Sequence, residues 1–380
     1  MGRPLGLYLH VPFCRKACHY CNFHFSTSLK HVDVLIDALI AEIHHRASQL
    51  EDATITSIYW GGGTPSLLSR DQLGRVYTAL REHIYIDPQI EQTIELNPED
   101  ISEKYLMELW TVGLNRLSVG IQSFDQRDLE AMNRAHNVDQ SHRAIEMIGE
   151  SSFDEFTIDL MFGLVDSSLA DWEANLDAVR RYKPPHLSCY NLTIEEQTAY
   201  HKWATSGRIR TPDEDTQYEQ FMLAHRTLGD IGYSHYEVSN YAQEGHEARH
   251  NTSYWRRQDY LGFGPSAHSL QGNLRSWNVS DNMKYIRAIE ADHVYQTTEI
   301  LTSAEEYNEW VMLGLRTADG VSEELIRSLS VDIYDHFQTC IQAPIRDALL
   351  IRDEGYYRIP TEHWYLSDHV ASQLFLTTDN

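Results

Sequence analysis

The sequence predicts an α/β fold: a partial (β/α)6 barrel, TIM-like but open, followed by a C-terminal helical unit that is winged-helix-like. Three observations predict it. Six short apolar runs alternate with segments of helical period over about the first 200 residues. Polar residues gather at the C-terminal ends of those runs. The pattern then changes from about residue 213.

The runs are LGLYLHV (5–11), TSIYW (56–60), QTIEL (92–96), RLSVGI (116–121), EFTIDLMF (155–162) and HLSCYNL (186–192). Between them lie segments of 3.6-residue period such as 33–49 and 171–182. Strand–helix alternation with short connections reads as βα units and a parallel sheet. Six strands are too few to close an eight-stranded barrel. At or near the strand ends stand Gly61-Gly62-Gly63-Thr64-Pro65, Glu95, Asn97, Gln122, Asp159, Asn191 and Thr193. In parallel α/β barrels the reactive face is at that end.

Residues 213–232 read as a helix ending at Gly232, and 234–242 as one strand. Residues 243–280 read as a loop rich in histidine, aromatics and arginine. GYYRIPTEHWYLSD (355–368) resembles a two-strand wing. The boundaries drawn are 1–232 for the barrel, 233–295 for a barrel-closing strand and the loop, and 296–380 for the C-terminal unit.

Composition limits the function classes. The 380 residues are 42% hydrophobic, enough for a full core, and the net charge is −25. Such a surface repels phosphate backbones, which argues against nucleic acid. Residues 301–380 hold 5 basic and 14 acidic residues, so the wing reads as a packing or docking module. Five cysteines, three of them bunched, suit a reducing compartment and a metal site better than disulfides. Cys189 and Cys340 read as buried core thiols. The first 13 residues lack the apolar core of a signal peptide, and no run of about 18 apolar residues occurs. The expected location is cytoplasmic.

VPFCRKACHYCNFHF (11–25) places Cys14, Cys18 and Cys21 in a C-x3-C-x2-C array. Three close thiolates can be structural zinc ligands, iron–sulfur ligands or core residues. A structural zinc site is closed by four protein ligands, and there is no second CxxC pair. An iron–sulfur cube normally takes four cysteines, so three leave one iron open to a small chelating ligand.

With Tyr20 just before the third cysteine and GGGTP after the second strand, the array resembles the signature of the radical S-adenosylmethionine (SAM) family. The resemblance implies a [4Fe–4S] cluster on Cys14, Cys18 and Cys21, with SAM on the open iron. It implies SAM contacts at Tyr8, Tyr20, Gly62, Gly63, Thr64, Glu95, Gln122, Arg134, Asp159 and Thr193. The plainer alternative for Arg134 and Asp159 is an ion pair with each other. Glycines 262 and 264 in YLGFGPSAHSL (260–270) mark a last strand and turn closing over the SAM adenosine, or simply a turn or bulge.

The motif order YLHVPFC, WGGGTPSLL, ELNPED, LSVGIQSF, MNRAH, IDLMFGL and LTIEEQT resembles the oxygen-independent coproporphyrinogen III oxidase group along nearly the whole chain. That group includes an oxidase and a heme chaperone type. Phe23 stands where the oxidase has a fourth cysteine, and only 13 residues precede Cys14, where the oxidase has a long N-terminal arm. His250-Asn251-Thr252-Ser253-Tyr254-Trp255 matches an H-N-x-x-Y-W motif of the chaperone type. The resemblance implies heme contacts at His250, Asn251, Tyr254 and Trp255.

The residue chemistry of RHNTSYWRRQDY (249–260) agrees. Heme needs an axial donor, apolar faces and cations for its propionates. Here stand an imidazole, flat side chains, and Arg249, Arg256 and Arg257. The alternative is a structural loop with His250 bonded to backbone; His246 is a weaker second candidate. Implied cofactors and partners are the cluster, SAM, heme, heme-acceptor proteins and an unnamed electron donor, with at most transient contact with a membrane surface. Rival readings are the coproporphyrinogen oxidase itself, a methyltransferase using a second SAM, and a scaffold with a structural metal.

Overall fold

The computed structural model describes residues 2–377. All six expected strands form: β1 (Arg3–Val11), β2 (Ala53–Gly62), β3 (Glu91–Leu96), β4 (Arg116–Gln122), β5 (Glu155–Phe162) and β6 (His186–Asn191). They pair in sequence order and in parallel. Helices between them, such as Val32–His45 and Leu169–Tyr182, cover one face. Strand alternation decides the two faces. In β1, Leu5, Leu7, Leu9 and Val11 are buried on the helix side. Gly6, Tyr8 and His10 lie on the opposite, inner face, in register with Ser57, Tyr59 and Gly61 of β2. That inner face carries the polar residues.

The chain beyond β6 differs from expectation in four places. Residues 234–242 are not one strand but a hairpin, β7 (Ser234–Glu237) and β8 (Asn240–Ala242), because the chain reverses at Val238-Ser239 and β8 pairs antiparallel with both β7 and β6. The stretch expected as a loop contains the helix Arg249–Trp255 and the strands β9 (Tyr260–Phe263), β10 (His268–Gln271) and β11 (Leu274–Asn278). The strand β12 (Gln296–Ile300) pairs with β11, so the sheet extends past residue 296 before the helical unit begins at Ser303. Finally, of the stretch 355–368 expected as a two-strand wing, Tyr356–Arg358 is a strand that pairs with Ile351–Asp353, while 361–368 is helical.

The full sheet runs β12-β11-β10-β9-β1-β2-β3-β4-β5-β6-β8-β7. β9 lies parallel to β1, pairing Gly6 with Tyr260 and Tyr8 with Gly262. It is a seventh parallel strand, placed before β1. A buried polar knot fastens this extension: Glu42 accepts from Arg46 Nη1 (3.0 Å), Gly264 N (2.8 Å), Asn278 Nδ2 (2.9 Å) and the Tyr285 hydroxyl (2.6 Å).

The C-terminal unit runs helix (Ser303–Gly314), β13 (Val321–Ser322), helix (Glu323–Leu329), helix (Val331–Cys340), then β14 (Ile351–Asp353) and β15 (Tyr356–Arg358), with sheet order β13-β15-β14. This is a winged-helix order. It docks on the barrel through Arg257, whose guanidinium pairs with Glu306 (3.2 Å) and Glu309 (2.9 Å), and through Ala318 N donating to Tyr236 O (3.0 Å).

Candidate functional site

The ends of the parallel strands enclose an upper cavity of about 410 Å³. Cys14, Cys18 and Cys21 line it, together with Tyr20, Gly62, Gly63, Thr64, Glu95, Gln122, Arg134, Asp159 and Thr193. Six separate strand ends thus bring every expected SAM contact except Tyr8 around one space. Tyr8 sits deeper: its hydroxyl is 3.0 Å from His10 Nδ1 and its ring stacks on Tyr59 at 6.2 Å. Gly262 and Gly264 do not line this cavity. Gly262 lies in β9, and Gly264 follows it against the backbone of His10.

The cysteine loop is held at both ends. Cys14 N donates to Ser26 O (3.0 Å) and Ser26 N to Pro12 O (2.8 Å). Across the mouth, His19 N donates to Met132 O (3.1 Å) and Asn133 Nδ2 to Ala17 O (2.8 Å). Burial pushes the Cys14 thiol up to about 11, with Thr64 opposing, and burial also raises Cys21. Gly63 runs directly against this loop. A Cβ there would meet Phe13 O at 2.6 Å and Cys14 Sγ at 3.0 Å. Gly62 has φ +114°, the left-handed region where glycine is at ease.

Glu95 Oε1 accepts from the Tyr59 hydroxyl (2.9 Å) and Oε2 from Gly62 N (3.1 Å). Burial pushes its carboxyl up to about 8, against both hydrogen bonds, and Asp159 adds to the rise. Burial likewise lifts Asp159 to about 6, with Ser188 and Ser118 opposing. Arg134 does not pair with Asp159. Its Nη2 donates to Asn97 Oδ1 (2.7 Å) and Gly120 O (2.8 Å), and its Nη1 lies 3.6 Å from Cys18 Sγ. Sequence reasoning missed Ser118, Tyr190 and Glu195, which also line the cavity. For Ser118 and Tyr190 the signal was available: each is in step along its strand with an inner-face residue.

The four expected heme residues do not share one surface. They lie on the helix Arg249–Trp255, whose first two amides donate to Glu91 at 2.7 and 2.9 Å. His250 is 1% exposed and faces the barrel interior. Its Nδ1 is 2.8 Å from Ser57 Oγ, its Nε2 is 2.9 Å from the Tyr254 hydroxyl, and its ring stacks on Tyr59 at 5.0 Å. Burial lowers its pKa to about 3. Trp255 instead lines a second, lower cavity of about 720 Å³ between the barrel floor and the winged unit. Asn251 lines neither cavity. His246 pairs with Glu155 at 2.9 Å.

A model of the radical SAM superfamily matches residues 8–179. The whole chain aligns with the heme chaperone HemW of Lactococcus lactis, 32% identical over 100% of both chains. The chain belongs to the HemW family. Identity to HemW of Bacillus subtilis is 32% over 83% of this chain and 84% of that one. For HemW of Escherichia coli K12 it is 34% over 70% of each. The solved coproporphyrinogen III oxidase HemN of E. coli, a radical SAM enzyme, superposes with a TM-score of 0.84 over 98% of this chain and 90% of that one, at 23% identity. HemN and this member of the HemW family thus share a fold.

Membership of the HemW family and the radical SAM superfamily implies a [4Fe–4S] cluster and SAM, and the upper cavity fits them. Three soft thiol donors stand at its mouth. They do not all lie within 4.8 Å of one another, whereas ligands on one tetrahedral ion with 2.3 Å bonds sit about 3.8 Å apart. Gly63 keeps clear the space beside Cys14 that a Cβ would take. Arg134 Nε is buried there without a partner. Among the described residues, no helix is long and apolar enough to cross a membrane.

Proposed function

We propose that the protein is a heme chaperone, which binds heme and passes it to heme-requiring respiratory proteins, and which carries a [4Fe–4S] cluster and SAM. The observation that carries this reading is end-to-end identity of 32% with a protein named as a heme chaperone. Phe23 supports it by standing, exposed at the cavity edge, where a fourth nearby cysteine would be needed for the oxidase pattern.

On this reading Cys14, Cys18 and Cys21 hold the cluster. When bound, the cluster supplies the electron that cleaves a carbon–sulfur bond of SAM. The ionised Glu95 carboxylate and the backbone of Gly62–Thr64 hold the SAM amino group, Tyr20 and Thr193 bound the nucleoside, and Gln122, Arg134 and Asp159 complete the polar wall. Arg134 Nη1 also donates toward Cys18 Sγ, which orients that sulfur. Heme contacts belong to the helix Arg249–Trp255, which carries His250, Asn251, Tyr254 and Trp255. The protein works in the cytoplasm and meets its acceptors by transient contact, at the membrane surface where they are membrane-bound.

The test is anaerobic titration of the reconstituted protein with heme, run beside a coproporphyrinogen turnover assay on the same preparation. Stoichiometric heme binding without turnover is expected. Conversion of coproporphyrinogen to protoporphyrinogen would replace this reading with the oxidase.

A further inference from the structure

The helices Val32–His45 and Arg70–Arg81 follow β1 and β2 and pack side by side on the outer face of the sheet. Each returns from the end of a parallel strand, so both point the same way. Their C-terminal ends therefore meet at the end of the barrel opposite the thiols.

Three polar rungs cross between these helices. Asp33 Oδ1 accepts from Gln72 Nε2 at 2.7 Å, and Asp37 pairs with Arg75. Both rungs match an acceptor with a donor. The third rung, at the C-terminal ends, does not. His44 Nδ1 lies 2.8 Å from His83 Nε2 and 3.9 Å from Glu82 Oε2. Two imidazoles and a carboxylate thus face one another. One ring proton satisfies the imidazole pair, and the Glu82 carboxylate has no closer partner among the described residues.

The surroundings also favour a cation. His44 is in the last turn of its helix and Glu82 caps the other, so the negative ends of both backbone dipoles converge here. Arg81 does not fill the place. Its guanidinium lies over the Tyr77 ring at 5.1 Å and close to Gly113, toward the next helix.

The donor set fixes the class of ion. Imidazole nitrogen with carboxylate oxygen suits zinc and the divalent ions near it. All three donor atoms lie within 4.8 Å of one another. Ligands of a tetrahedral ion with bonds of about 2.1 Å stand roughly 3.4 Å apart. The shorter gap must open and the longer one close, each by about half an ångström on that geometry. His44 and Glu82 are exposed and His83 is half-buried, so their side chains have room to do so.

We propose that His44, Glu82 and His83 bind one divalent transition ion of the zinc class, with water completing its coordination. Binding takes the tautomers protonated at His44 Nε2 and His83 Nδ1. The hydrogen bond between the rings is exchanged for two metal–nitrogen bonds, and no net proton is lost. The ion ties together the helices that follow the two strands leading into the thiol loop and the Gly61–Thr64 turn. It braces that end of the molecule from the far side of the barrel.

The test is anaerobic calorimetric titration with zinc(II) of the full-length, cluster-reconstituted protein, whose thiols are already occupied, together with thermal melts. One zinc is expected, and with the ion in about hundredfold excess over Kd it should raise Tm by roughly 5 °C. Loss of a group that merely orients a metal ligand costs roughly 10–100-fold. His44→Gln and His83→Gln remove ligands, so each is expected to weaken zinc at least roughly tenfold and to abolish the rise in Tm. His45→Gln, at the exposed neighbour on the same helix, should leave both unchanged. With copper(II) as probe, electron paramagnetic resonance should show two coupled nitrogens, falling to one in either variant. Cluster absorption reports folding in each protein. Wild-type zinc affinity and Tm shift in both His44→Gln and His83→Gln, or no saturable zinc on the wild-type protein, overturns the proposal, and neither result bears on the heme reading.

Discussion

Tyr59 donates a hydrogen bond of 2.9 Å to Glu95 Oε1, while Gly62 N donates to the other carboxyl oxygen at 3.1 Å. Both hydrogen bonds favour the ionised carboxyl, but burial outweighs them and holds its pKa up at about 8.

A pH dependence follows from that carboxyl. Its folded value, about 8, lies above the ordinary 4.5, so the folded chain binds the proton more tightly than the unfolded one. The stabilisation is fully present below about pH 4.5 and is lost as pH rises through about 8. Asp159, lifted from 3.8 to about 6 by burial, acts in the same direction at lower pH. Thermal melts of the cofactor-free protein should therefore show Tm falling from about pH 5 to about pH 9. Glu95→Gln should flatten the upper part of that curve. SAM affinity should move the other way, tightening toward pH 8 as Glu95 ionises to meet the amino group, and the same variant should remove most of that slope. A pH-independent affinity in the wild type would reject Glu95 as the ammonium partner.

Cys18→Ala removes one of three thiols and should abolish the broad visible absorption of the reconstituted cluster. Arg134→Ala should behave differently. The cluster should assemble, but loss of the cation 3.6 Å from Cys18 Sγ should move its midpoint potential to more negative values, since hydrogen bonds to the sulfurs stabilise the reduced form. Redox titration of the two proteins separates ligand from modulator.

Gly63→Ala places a methyl group 2.6 Å from Phe13 O and 3.0 Å from Cys14 Sγ. Overpacking against backbone costs roughly 1–3 kcal/mol, and here the backbone that must move carries the first thiol. Iron content after reconstitution should fall with stability. Gly74→Ala is the control: it sits in the helix Arg70–Arg81 with nothing within 4 Å, and should stabilise by about 0.5–1 kcal/mol in urea melts.

Glu42 accepts four hydrogen bonds with its carboxylate fully buried. Glu42→Ala leaves Arg46 charged and buried beside β9 and β10, and should cost about 3–5 kcal/mol. Replacing both partners by methionine should cost much less, because no lone charge remains. Urea denaturation of the single and double variants measures the difference.

The barrel was readable because its signal is local. In LGLYLHV every second residue is aliphatic, which pins one face of β1 to the helices and the other to the interior. Glu95, Gln122 and Asp159 were legible as polar residues at or near the ends of such runs. The helix Arg249–Trp255 was unreadable for the opposite reason. Seven residues of arginine, histidine, asparagine, threonine, serine and aromatics make a poor helix alone. What holds this one is Glu91, 158 residues earlier, accepting its first amide. The hairpin at 234–242 turns at Val238-Ser239 without glycine or proline, so nothing punctuates it. The second half of the expected wing, 361–368, reads as strand because Trp364 and Tyr365 suit strands as readily as a buried helical end. Ser118 and Tyr190 went unmarked because they are chemically ordinary, although their step along β4 and β6 puts them on the inner face with the cavity residues.

The strand that leads into the thiols is flanked on one side by β2 and on the other by β9, whose first residue, Tyr260, pairs with Gly6. A ribosome must therefore synthesise more than 250 residues beyond Gly6 before that strand gains its second neighbour. Iron and sulfide delivered earlier would meet an unfinished sheet edge, so metallation of this protein belongs after translation has passed β9.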